Sequence, residues 1–141
     1  MKDTELIQFV HKTCEMGVVG LCDVKDKISG KAMKGAVESQ IKEYKSLTEK
    51  TGRILRAAGQ VPQGPNGIAR AMSGMMSKAK LSIFPTDSKI AEMVIQGNTM
   101  GITKCTKHLN DYSGGDPRAR ELATRLIKTQ QANVDQMKPF L

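Results

Sequence analysis

Apolar residues recur with helical spacing over most of the chain. Leu6, Phe9, Val10, Gly17, Leu21, Val24 and Ile28 share one face, which predicts a first helix over about residues 3–28, ended by Ser29 and Gly30. A second run, Met33, Ala36, Val37, Ile41, Tyr44, Leu47, Ile54, Leu55 and Ala58, predicts a helix over 31–58 that Gly59 and Pro62 close. So short a turn between them implies an antiparallel αα-hairpin. A third helix is expected over 88–113, after Pro85, and a fourth over 117–138. Asp116 suits the cap of the fourth and Pro117 its first position, where a missing N–H costs nothing. Ala119, Leu122, Ala123, Leu126, Ile127, Val134 and Met137 carry the fourth stripe, which completes a second hairpin.

Residues 59–87 connect the hairpins. They open with the irregular "GQVPQGPNG" and continue as "IARAMSGMMSKAKLSIF", a Met-rich amphipathic piece. At about 3.3 Å per residue this connection can return along a whole helix and set helices two and three parallel. A plain up-down-up-down chain needs only a few residues there. The expected architecture is therefore all-α: a single domain, 1–141, in which four helices form two hairpins joined by a long crossover with a short amphipathic helix. The edge formed by Ile68, Met72, Met75 and Met76 is a candidate docking surface for a second copy, a helical partner or an anionic membrane surface. Packing on its own four helices is the plainer alternative.

Several polar residues fall inside the apolar stripes. At roughly 100° per residue, Gln40 and Thr51 lie within the second stripe, Asn98 within the third and Gln130 within the fourth. Thr13 lies near the first, beside Gly17 and Gly20. Pairing Tyr112 with Asp116 across the second turn puts Asn98 opposite Gln130, and pairing Ile28 with Lys31 puts Gly20 near Gln40. With helices two and three parallel, Gln40 also lies beside Gly97 and Asn98. Three amides are thus expected in one layer, with Gly17 and Gly20 leaving room for them. A buried amide left unpaired costs about 1–3 kcal/mol. The layer therefore reads as a satisfied cluster that fixes helix register, as a water- or ligand-lined cavity, or as a metal site. Gln40, Glu43, Asn98, Gln130 and Asn133 are its candidate residues.

Composition narrows the chemistry. Only 4% of residues are aromatic, none is Trp, and nine are Met, which suits a helical core with Met as gap-filler better than a β-sandwich. Cys14, Cys22 and Cys105 form no CxxC pair and no secretory framework, and no apolar leader or membrane-length run is present, so a soluble cytoplasmic chain is expected. Cys105 reads as a core thiol, Cys14 as the edge of a stripe and Cys22 as outward. His11 is expected on the surface, four residues from an outward Glu15, and His108 beside the core. The net charge of +8 attracts anions generally. Lys31, Lys34, Lys42, Lys45, Arg53 and Arg56 read as a solvated helix face. Specific nucleic-acid binding would rest on that charge alone, without an aromatic stacking set. No phosphate-binding loop, dinucleotide fingerprint, nucleophile elbow or zinc spacing occurs.

Two long hairpins, a long crossover and the "DPRAREL" helix start together resemble the ferritin-like superfamily. More locally, "KIAEMVIQGNTMG" at Lys89–Gly101 is similar to a group of small bacterial ferritin-like proteins without an assigned activity. The resemblance covers nearly the whole chain and implies a fold. Metal-binding members of the superfamily place inward Glu on two helices and Glu-x-x-His on the other two. Here the corresponding positions read Gln40-x-x-Glu43 and Gln130-x-x-Asn133. Glu43 is the one acid near enough to a stripe to be an inward ligand. The expectation is a non-enzymatic structural or binding module with no cofactor, forming a homodimer if it assembles. The alternative is an iron-binding oxidoreductase or storage protein with a divergent site.

Overall fold

The computed structural model describes residues 1–64 and 85–141, which form four α-helices and one short 3-10 turn, with no strand among the described residues. Helix α1 spans Asp3–Lys25, α2 Lys31–Ala57, α3 Asp87–Asp111 and α4 Pro117–Met137, and the turn Lys138–Phe140 follows. The expected docking residues Ile68, Met72, Met75 and Met76 lie outside the described residues.

The helix ends follow from their backbone partners. The apolar pattern predicts that α1 reaches Ile28, yet it stops at Lys25. The Lys27 and Ile28 amides reach back only three residues, to Val24 and Lys25 at 2.9 and 3.3 Å, so the last turn tightens. Ile28 is nevertheless buried; it continues the apolar pattern because it closes the end of the core. Helix α2 finishes in a Schellman motif. Gly59 takes φ 75°, where glycine meets no steric penalty, and the Gly59 and Gln60 amides bond the Arg56 and Leu55 carbonyls at 3.0 and 2.8 Å. The Thr86 hydroxyl accepts from the Lys89 amide at 3.1 Å and starts α3. The Asp116 carboxylate accepts from the Arg118 amide at 2.9 Å, ahead of Pro117.

Long-range hydrogen bonds fix the helix directions. Asp87, at the start of α3, accepts from the Ser29 and Gly30 amides at 2.9 and 2.8 Å. Helices α2 and α3 therefore begin at the same end and run parallel. At the other end, Asp3 of α1 accepts from the Tyr112 hydroxyl and from the Asp116 amide, which joins the start of α1 to the α3–α4 turn. Gln8 bonds the Val61 carbonyl and the Gln63 amide at 2.8 and 3.0 Å, which brings the exit of α2 to that end too.

Helix α1 packs along α2 and α3 along α4. Helix α1 also touches α3 and α4, and α2 touches α4, whereas α2 and α3 do not pack closely on each other. Leu6, Val10, Val37, Leu47, Leu55, Leu122, Leu126 and Met137 are fully or almost fully buried between the helices. Among the described residues no helix is long and apolar enough to cross a membrane.

Asp87 ties the α1–α2 turn to α3. Asp87→Ala is expected to lower stability by about 1–2 kcal/mol, read as a lower urea midpoint at unchanged slope. Asp87→Asn, which keeps one carbonyl oxygen, should recover part of the loss.

Candidate functional site

Because α2 and α3 stand apart, only a long side chain can join them at mid-core. Tyr44 does so. Its hydroxyl donates to Asn98 Oδ1 at 2.8 Å. The Asn98 Nδ2 donates back to the Val94 carbonyl at 2.8 Å, which turns the amide oxygen inward. Asn133 of α4 donates through Nδ2 to Asn98 Oδ1 at 3.2 Å and to the Tyr44 hydroxyl at 3.3 Å. Helix α1 contributes by leaving space: a Cβ on Gly17 would stand 2.5 Å from the Tyr44 ring. All four helices therefore meet at one polar level. Burial pushes the Tyr44 pKa up to about 12, so the hydroxyl keeps the proton that it donates.

The expected amide layer is distributed differently. Asn98 bonds Asn133 rather than Gln130, a shift of one turn along α4. Gln130 lies beside Gly101, where a Cβ would overlap its amide, and its side chain also neighbours the Tyr44 hydroxyl. Gln40 donates through Nε2 to Gln136 Oε1 at 2.9 Å, away from Asn98. Gly17 makes room for an aromatic ring and not for amides. Two carbonyl oxygens, Gln40 Oε1 and Gln130 Oε1, are buried without a protein donor among the described residues. In the sequence Tyr44 reads as one more apolar-stripe residue. The signal was present, since the pairing that puts Gly20 near Gln40 also puts Gly17 beside Tyr44, and a buried tyrosine hydroxyl needs a partner.

Glu43 does not point inward. Arg125 donates to its Oε1 through Nη2 at 2.8 Å and Nε at 3.2 Å, and the Glu43 side chain is 42% exposed. One residue before Tyr44, it is turned about 100° from the core. The mid-core donors are thus neutral amides and a phenol. Two multivalent cations would need carboxylates to offset their charge, so this set does not fit a di-metal centre of the kind that metal-binding members of the superfamily hold. Nowhere among the described residues do three or more His, Cys, Asp or Glu side chains gather as a metal site.

His11 corrects a second expectation, since it is buried rather than on the surface. Its Nδ1 lies 2.8 Å from Thr51 Oγ1. The Thr51 hydroxyl is already donating to the Leu47 carbonyl at 2.8 Å, so we assign the proton to Nδ1. Nε2 faces Glu15 at 3.7 Å. Hydroxyl, imidazole and carboxylate are close, but Thr51 is fully buried and its proton is engaged with its own helix, so the group is no nucleophile. His108 stacks at a tilt on Phe9, ring centres 4.2 Å apart.

Cys14 and Cys105 are buried and Cys22 is exposed. Cys14 therefore lies within the core rather than at a stripe's edge. Burial pushes the Cys105 thiol up to about 11 and that of Cys14 still higher. Both stay protonated near neutrality, the opposite of what a catalytic thiol requires.

Burial lowers the pKa of His11, Glu15 opposes that shift and Arg56 adds to it. The folded state thus binds the proton less readily than the unfolded chain. The stability His11 contributes is complete above its unfolded value of about 6.5 and is lost as pH falls through the depressed folded value. Urea midpoints at neutral and mildly acidic pH should show a steeper acid loss in the parent than in His11→Gln, which can still donate to Thr51 without titrating. Comparison with family models, with curated proteins and with solved structures finds no match.

Proposed function

We propose that this chain is a ferritin-like four-helix bundle acting as a non-enzymatic structural or binding module, with a hydrogen-bonded core where its metal-binding counterparts hold two cations. The observation that carries this reading is the neutral Tyr44–Asn98–Asn133 network, which reaches across the core from α2 to α3 and α4. The helix directions support the fold assignment: two antiparallel hairpins with α2 parallel to α3 are the arrangement of ferritin-like bundles. The protonated Cys14 and Cys105 thiols and the enclosed Thr51 support the non-enzymatic part. A bacterial cytoplasmic setting and a homodimer belong to the same reading, through the resemblance and the three free cysteines.

A divergent iron site is the second reading. It is favoured by Gln40 Oε1 and Gln130 Oε1, buried acceptors with no protein donor. Glu43, three residues along α2 from Gln40, is then the candidate carboxylate, and it would have to leave Arg125. Elemental mass spectrometry of tag-free protein, before and after anaerobic incubation with ferrous iron and desalting, separates the two. The hydrogen-bonded reading predicts far less than one metal per chain in both samples. Near-stoichiometric iron, lost in Glu43→Gln, would overturn it.

A further inference from the structure

Six cations of α2 recur as pairs eleven residues apart: Lys31 and Lys34, Lys42 and Lys45, Arg53 and Arg56. Eleven residues make three helical turns plus about 20°, so such a repeat holds nearly to one line. All six fall within an arc of roughly 100°, and the line runs roughly 38 Å along the helix. Five of them are exposed and Lys34 is half-buried. Glu38 and Glu49 share the stripe, also eleven residues apart, so six positive charges face two negative ones, a net +4.

None of the six forms an ion pair among the described residues. The α2 side chain that does is Glu43, with Arg125 of α4. Residues 65–84 contain no Asp or Glu, so that segment offers no carboxylate to the stripe. Beside the stripe runs an open groove of about 480 Å³, lined by Lys42 and Lys45, by Lys25 from the end of α1, and by Ser39 and Glu38. Gly35 also lines it and has nothing within 4 Å of its missing Cβ, which keeps the groove open.

The partner follows from shape and from what the face lacks. Among the described residues the exposed large hydrophobics are Val61, Met100 and Leu141, none of them on α2. The face therefore offers no aromatic platform for single-stranded bases and nothing to insert among acyl chains. A straight line of cations can meet a flat array of phosphates along its whole length. A duplex is a convex rod, which a straight helix touches over only part of that length. We propose that the outer face of α2 docks reversibly, by charge alone, on an anionic phospholipid surface, with α2 lying flat and a headgroup phosphate in the groove at Lys25, Lys42 and Lys45.

The test is co-sedimentation of the full chain with vesicles of phosphatidylcholine alone and with about one-third phosphatidylserine. Binding is expected only to the anionic vesicles, at low ionic strength, with release at high salt. Lys42→Glu/Lys45→Glu should weaken partitioning by about tenfold or more. Lys104→Glu/Lys107→Glu on α3 makes the same change in net charge and should weaken it by less than about threefold. Circular dichroism and thermal melts establish that both variants fold. No partitioning of the parent, equal losses in the two variants, binding that survives high salt, or binding of duplex DNA without binding of vesicles would each overturn the proposal.

Discussion

The hydrogen bond from the Tyr44 hydroxyl to the Asn98 amide oxygen joins two helices, α2 and α3, whose backbones do not pack closely on each other. Much of the core is arranged around it. Gly17 is small because the Tyr44 ring lies against it, and a side chain there would push the ring off its line to α3. Asn98 gives its own N–H to the Val94 carbonyl, so its oxygen has one orientation, facing the phenol. Asn133 donates to both partners and brings α4 to the same level. A buried acceptor left without its donor costs about 1–3 kcal/mol. Sliding any of these helices by one turn would strand at least one such group, and the network therefore sets axial register more sharply than apolar contacts, which tolerate repacking.

Burial imposes one chemical character on this interior. It keeps the Tyr44 phenol protonated, keeps the Cys14 and Cys105 thiols protonated and disfavours the charged form of His11. Carboxylates stand at the rim, as Glu43 does against Arg125, or at the ends, as Asp3 and Asp87 do. The ends are held by charge-assisted bonds to backbone amides and the middle by neutral bonds between side chains. Net positive charge is left to the outside, and on α2 it is aligned in a single stripe.

The helices were legible because each carries a long apolar stripe and strong stop or cap signals. Asp116-Pro117 and Gly59 act as their residue types predict. Ile28 extends the apolar pattern past the end of α1 because a core-closing residue and a helical residue leave the same mark in it. Asn98, Gln130 and Gln40 stood out as polar residues among apolar ones, and all three are buried. Their partners were less legible. Pairing levels counted from a turn drift by a residue or more over several helical turns, and one turn was enough to exchange Gln130 for Asn133. Tyr44 was hidden by its ring, which satisfies an apolar stripe, while its hydroxyl carries the polar role. His11 was hidden by Glu15: an i, i+4 pair looks like surface chemistry, but the other edge of the imidazole faces Thr51 across the α1–α2 interface.

The most direct test of the account is a double-mutant cycle on the bond that spans the core. Tyr44→Phe, Asn98→Ala and the double variant would be compared by urea unfolding, with circular dichroism to establish that each remains helical. If the two side chains act as one unit, the double variant will be less destabilised than the sum of the single variants, with a coupling of about 1 kcal/mol or more. Additivity to within about 0.5 kcal/mol would mean that the pair does not hold α2 to α3, and the account of this core would fail.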